Sequence, residues 1–205
     1  MAHSFLCLIL LALGSFQVFG QQIIRSPYLQ MLGDKSVQIR YRTNQAINSE
    51  VQISSDGKTF NRIKRSTQNN TEHLVLIDSL SASSTYFYRL RLTTTQFAGD
   101  STYFFKTAPA IGSLEKFSVW SIGDMYPGAY QKNVYEGFKK FIGNKYTNLF
   151  LTQGDNVYGG GSDDDFQTNF FQIYQNGPLL KQSALFPTVG NHDYDIYPKT
   201  QDHPD

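Results

Sequence analysis

Leu149-Phe150-Leu151-Thr152-Gln153-Gly154-Asp155-Asn156-Val157-Tyr158-Gly159-Gly160-Gly161 runs from an apolar segment into an aspartate, a tyrosine and three glycines. A solvent-facing turn accounts for the glycines. It does not account for Asp155 with Tyr158 three residues on. Both side chains can present an anionic oxygen, so their pairing at the end of a buried strand suggests a metal ion. The flanking sequence has the matching rhythm. Phe117–Ile122, Asn148–Thr152 and Leu185–Val189 read as buried strands. Between the first two, Tyr130, Val134, Phe138, Phe141 and Ile142 recur at helical spacing, and Gly143 follows as a stop. Phe166, Phe170, Ile173 and Tyr174 form a second stripe. Strand–helix alternation of this kind predicts βαβ units on a mostly parallel sheet.

In an open α/β sheet, ligands bind beyond the carboxyl ends of the strands. The first strand is followed by Gly123-Asp124, the second by Gly154-Asp155, and the third by Gly190-Asn191-His192-Asp193. One Gly-Asp pair is weak evidence, because loops are rich in both residues. Three in phase with three strands place oxygen and nitrogen donors on one rim. Asp163, Asp164 and Asp165 stand just before the second helical stripe, where negative charge offsets the helix dipole, so they read as capping residues. His73 and His203 belong to none of these segments and read as surface residues.

The chain before this region has a different period. Val37, Ile39 and Tyr41 alternate with Gln38, Arg40 and Arg42, as a strand with one buried face requires. Tyr86, Tyr88, Leu90 and Leu92 alternate likewise. Glu50–Ser54, Thr59–Lys64, His73–Ile77 and Ser101–Lys106 are further candidates, with turn signals such as Ser55-Asp56-Gly57 between them. About seven short strands before Thr107 predict a β-sandwich, and Leu80 ahead of the strand residue Tyr86 has the spacing of a tyrosine corner. Residues 109–115 read as a linker. The expected organisation is a leader over 1–20, a sandwich over 21–108, and the first part of an α/β domain over 116–205.

Composition narrows the function. Of 205 residues, 40% are hydrophobic and 17% charged, ordinary for a globular protein, and the net charge is +1. That balance leaves no basic surplus to neutralise a phosphate backbone, which excludes nucleic acid as an expected partner. Lys64-Arg65 and Lys139-Lys140 read as solvated surface. Residues 1–20 carry an apolar core from Phe5 to Leu13, then small residues and a cut site after Gly20, the pattern of a secretory signal. The run is too short to span a bilayer, so no membrane segment is expected in a mature, secreted chain, extracellular or periplasmic. Cys7 would leave with the leader. Asn69-Asn70-Thr71 is a glycosylation sequon in a eukaryotic host.

The three strand-end segments resemble the first three sequence blocks of the metallophosphoesterases, D-x-G, G-D-x-x-Y and G-N-H-[DE]. The tyrosine of the second, with a fibronectin type III-like sandwich ahead, is similar to the purple acid phosphatases. The resemblance implies a dinuclear metal centre, ferric iron with a divalent partner (Fe2+, Zn2+ or Mn2+), hydrolysing phosphomonoesters. It implies Asp155 as the carboxylate shared by both metals and Asp124 and Tyr158 as ligands of the ferric ion. Asn191 would offer its carbonyl oxygen to the divalent ion, and His192 would act as the catalytic residue at the phosphoryl group. Two departures stand out. Asp124-Met125-Tyr126 lacks the glycine of the first block, with Pro127-Gly128 following as a later turn. The two histidine blocks that end the family's pattern are absent, so the chain is expected to be an amino-terminal fragment, inactive alone. A phosphodiesterase of the same superfamily and a non-catalytic binding protein with a degenerate site remain the alternatives.

Overall fold

The structure, a computed structural model, describes residues 20–194; residues 1–19 of the expected leader, Cys7 among them, and His203 lie outside the described residues. The amino-terminal half is antiparallel. β1 (Ile23–Gln30) pairs with β2 (Val37–Ser54), which pairs along its length with β3 (Arg62–Ile77). The second half of β2 also pairs with β4 (Thr85–Arg91), which carries the short strands β5 (Phe97–Ala98) and β6 (Phe104–Lys106). The expected strands at 37–42 and 50–54 are therefore one strand. Polar Asn44–Asn48 does not end it. The ladder passes these residues through bulges between Arg42 and Ile47 and between Asn48 and Glu50. The segments read as Thr59–Lys64 and His73–Ile77 merge likewise from Arg62 onward, because Asn69 and Asn70 pair with Asn48 and Ile47 between the bulges.

Val37, Ile39, Tyr41, Val51, Ile53, Tyr88, Leu90 and Phe105 form the core of this half. The expected corner is present. Leu80 and Tyr86 are both buried, and the Ser81 backbone N–H donates to the Tyr86 hydroxyl at 3.0 Å. His73, read as a surface residue, is instead buried at 4% exposure, its ring stacked on Tyr41 with centroids 4.4 Å apart. Tyr41 and His73 are cross-strand partners, and the aromatic face opposite closes over the imidazole.

In the second half, β7 (Val119–Ile122), β8 (Leu149–Thr152) and β9 (Ala184–Phe186) are parallel neighbours. α1 (Ala129–Ile142) lies between β7 and β8 in sequence and ends at Gly143, as expected. Of the expected stripe Phe138 packs inward, but the rest of the inward face is shifted by one residue. Gln131 and Tyr135 are buried, whereas Tyr130 and Phe141 are 74% and 86% exposed. The reason is aromatic packing on β7. Trp120 stacks on Phe138 at 4.1 Å and on Phe150 at 4.8 Å, and Tyr135 meets Tyr174 edge-on. The second stripe is not one regular helix. α2 (Asp163–Phe166) widens into a π-helical stretch, Gln167–Phe171, then tightens into α3 (Gln172–Tyr174), with α4 (Leu179–Gln182) before β9. In the wide stretch both Phe170 and Phe171 are buried, and a stripe drawn at 3.6 residues per turn omits Phe171.

The two halves share one sheet. β1 pairs in parallel with β9 through Leu29 and Ala184, giving the order β5-β4-β2-β1-β9-β8-β7, with β3 beside β2 and β6 beside β4. Side chains reinforce the joint. Buried Arg25 donates to Asp163 Oδ1 at 2.8 Å and to Gln167 Oε1 at 2.7 Å, with its guanidinium 4.3 Å from the Phe171 ring centroid. Arg42 adds a forked pair to both Asp163 oxygens, at 2.6 and 2.7 Å. All three aspartates read as caps lie in the first turn of α2, and Asp165 also forms a capping box with Ser162. Asp163 spends its charge on the arginines of the sandwich.

Candidate metal centre

Because β7, β8 and β9 run parallel, their carboxyl ends lie on one rim, and the three loops that leave them are stitched together. Beyond the strands, the Asp124 N–H donates to the Gly154 carbonyl at 3.2 Å and the Met125 N–H to the Asp155 carbonyl at 2.9 Å. The Thr188 N–H donates to the Thr152 carbonyl at 3.1 Å. The first loop needs no glycine after Asp124. Asp124 itself takes φ 48°, its carbonyl accepts from the Tyr126 N–H at 2.8 Å, and Gly128 opens α1 at φ 91°. Asp155 is left-handed too, at φ 50°. Left-handed backbone at a non-glycine residue is strained, on the order of 1–3 kcal/mol, and persists only where the surroundings impose it. Here both expected aspartate ligands carry it.

Four of the five expected site residues are linked by direct contacts. The Tyr158 hydroxyl donates to Asp124 Oδ1 at 3.4 Å. The Tyr158 ring stacks on the His192 imidazole with centroids 4.4 Å apart. The His192 backbone N–H donates to Asp155 Oδ1 at 3.1 Å. Burial, then the negative charges of Asp155 and Asp124, raises the Tyr158 phenol above its ordinary value. Asn191 sits on the same rim, exposed, and makes no hydrogen bond to the other four among the described residues. Among the described residues no three His, Cys, Asp or Glu side chains converge as a metal cluster would. The donor set is two carboxylates and a phenol, with an imidazole and an amide beside them. Hard oxygen donors of this kind suit a highly charged cation.

Two glycines explain how the loops come so close. A Cβ on Gly190 would overlap Asp155 Oδ1 and the Asp155 backbone nitrogen. Gly161, at φ 69°, lies under the Asp193 carbonyl oxygen, which a Cβ would also overlap. Gly161, the last of the glycine run after Tyr158, is therefore a packing surface for the loop after β9, while Gly159 lies against the Asp165 carboxylate. The residue that sequence reasoning missed is Asp193. It is buried and accepts from the Val157 N–H at 3.0 Å, the Gly190 N–H at 2.9 Å and Asn156 Nδ2 at 2.7 Å. In the sequence, an aspartate after Asn191-His192 could as well have faced solvent in a turn.

No family model and no curated protein matches the sequence. Solved structures do match its fold. The structure of PhoD superposes with a TM-score of 0.61 at 15% identity, covering 87% of this chain and 40% of that one. The purple acid phosphatase PPD1 from yellow lupin (Lupinus luteus) seeds gives the same TM-score and identity, over 81% of this chain and 35% of its own. At such identity the likeness is one of fold, and the chain spans less than half the length of either protein. A fibronectin type III domain from the human KIAA0970 protein overlaps 46% of the chain with a TM-score of only 0.34, too low to assign the sandwich.

Proposed function

We propose that this chain is the amino-terminal part of a secreted acid phosphatase, with a fibronectin type III-like sandwich ahead of the first loops of a dinuclear metal centre, acting on phosphomonoesters. One observation carries the reading. Asp124 and Asp155, expected as ligands from their strand-end positions, are the two non-glycine rim residues held at left-handed φ, beside Tyr158 and His192. Gathering two carboxylates at strained backbone beside a phenol costs free energy, and a multivalent cation is what would offset it. On this reading Asp124 and Tyr158 serve a ferric ion, Asp155 is shared, and Asn191 serves Fe2+, Zn2+ or Mn2+. Such a pair, when bound, activates water and polarises the phosphoryl group. His192 has its backbone tied to Asp155 and its ring against Tyr158, and on this reading it would donate a hydrogen bond to a phosphoryl oxygen or a proton to the departing alkoxide. The likeness to a purple acid phosphatase fold supports the substrate class.

The test is spectroscopic. Ferric loading of the full-length protein should give a visible charge-transfer band, and Tyr158→Phe should remove it while the far-ultraviolet circular dichroism stays unchanged. A band that survives the substitution intact would overturn the assignment of Tyr158.

A further inference from the structure

We infer that Asp193 is a positioning residue whose buried carboxylate, paired with Asn156, holds the loop after β8 and the loop after β9 at the spacing the metal ligands need. The inference rests on the metal reading above and adds the element that sets its geometry. Asp193 makes no hydrogen bond to Tyr158 or Asp124 among the described residues; its effect on ligand geometry would pass through the backbone. Its Oδ1 takes the Val157 N–H, between Asp155 and Tyr158 in sequence, at 3.0 Å. Its Oδ2 takes the Gly190 N–H, just before Asn191, at 2.9 Å. One carboxylate thus grips both ligand-bearing loops.

Asn156 completes the latch. Its Nδ2 donates to Asp193 Oδ2 at 2.7 Å and to the Thr188 carbonyl at 2.8 Å, while its own Oδ1 stays buried without a partner. The amide is therefore turned to serve Asp193 at the expense of its other atom. The loops also press together where Gly190 meets Asp155 and where Gly161 meets Asp193, so a shift of either is felt by the other. Groups that orient metal ligands without touching the metal commonly change affinity by about ten- to a hundredfold. A carboxylate accepting three N–H groups is fit for that work, because it has acceptor capacity for all of them and no proton to place.

The experiment compares the full-length wild type with Asp193→Asn and Asp155→Asn. It reads Zn2+ affinity by calorimetry on metal-free protein and amide hydrogen exchange at Val157 and Gly190. Asp193→Asn should weaken Zn2+ binding by about ten- to a hundredfold and speed exchange at both amides. The reciprocal pair Asn156→Asp with Asp193→Asn should recover part of the affinity. A residue that merely stabilised the fold would lower the thermal midpoint and leave the affinity of the folded protein unchanged, and that result would overturn the inference. Should Asp193→Asn fail to fold, Asn156→Ser removes only the amide donor. It should still weaken Zn2+ binding, and wild-type affinity in that variant would also overturn the inference. Loss of Zn2+ binding in Asp155→Asn with wild-type binding in Asp193→Asn would sink the latch alone. Equal binding by wild type and Asp155→Asn would sink the metal reading, and the latch with it.

Discussion

Residue by residue, the least expected finding is His73. The Thr43 hydroxyl donates to the Gln45 carbonyl at 2.8 Å, so at its 2.7 Å contact with His73 it accepts from Nε2–H. That fixes the neutral tautomer with the proton on Nε2 and leaves Nδ1 buried without a partner. Burial lowers the His73 pKa to about 4, against an ordinary 6.5. The sign follows directly. The unfolded chain takes up a proton near pH 6.5 and the folded chain resists until about pH 4. Stability is full above the unfolded value and is lost as pH falls through that window. The depression is worth on the order of 3 kcal/mol at most. Urea midpoints taken from pH 7.5 down to 4 should fall for wild type and fall distinctly less for His73→Phe. Parallel profiles would clear His73 of the effect. The sequence could not have shown this, because an alternating strand assigns His73 to a face without saying what covers that face.

At the scale of elements, the joint between the halves depends on charge placed inside an apolar contact. Arg25 is at 5% exposure, with Asp163, Gln167 and the Phe171 ring as partners. Arg42 is more exposed and shares Asp163, whose carboxyl is held down at about 2, chiefly by the Arg42 hydrogen bonds. Removing Arg25 takes away the buried hydrogen bonds and the ring contact but leaves Asp163 paired, so Arg25→Ala should cost about 1–3 kcal/mol. Arg42→Ala should cost less than about 1 kcal/mol, as exposed pairs do. Denaturant unfolding of the two variants checks the ranking, and equal losses would mean that burial does not set it. Strand periodicity and the tyrosine corner were legible in the sequence because each depends on neighbours a few residues apart. The continuity of β2 through Asn44–Asn48 was not legible, since it depends on Ile47 and Asn48 pairing with Asn70 and Asn69 of β3. Nor was the phase of α1, which Trp120 sets from another element. The strand-end aspartates were legible because a parallel sheet turns sequence order into one rim. Asp193's role required the neighbouring loop.

For the whole molecule, the question is whether the two cores stand or fall together. The sequence separates them by an exposed segment at 109–115, and nothing local in Ile23–Gln30 announces that β1 will also pair with β9 in parallel. Yet Leu29, fully buried, packs in the sandwich core that includes Ala184, its partner across that pairing, while the adjacent Tyr28 packs in the second core against Phe171. Consecutive side chains on a strand point to opposite faces, so one strand serves both cores. The single tryptophan, Trp120, sits against Phe138 and Phe150 in the second core and reports on that core alone. Leu29→Ala removes side-chain volume from the first core and should cost about 2–5 kcal/mol. If the shared sheet makes the halves one cooperative unit, the denaturant midpoint seen by Trp120 fluorescence should drop together with the midpoint seen by far-ultraviolet circular dichroism, which follows the strands of both halves. A Trp120 transition left in place, beside a lowered transition elsewhere, would show that β1 and β9 touch without coupling. In that case the rim carrying Asp124 and Asp155 would owe its stability to the second core alone.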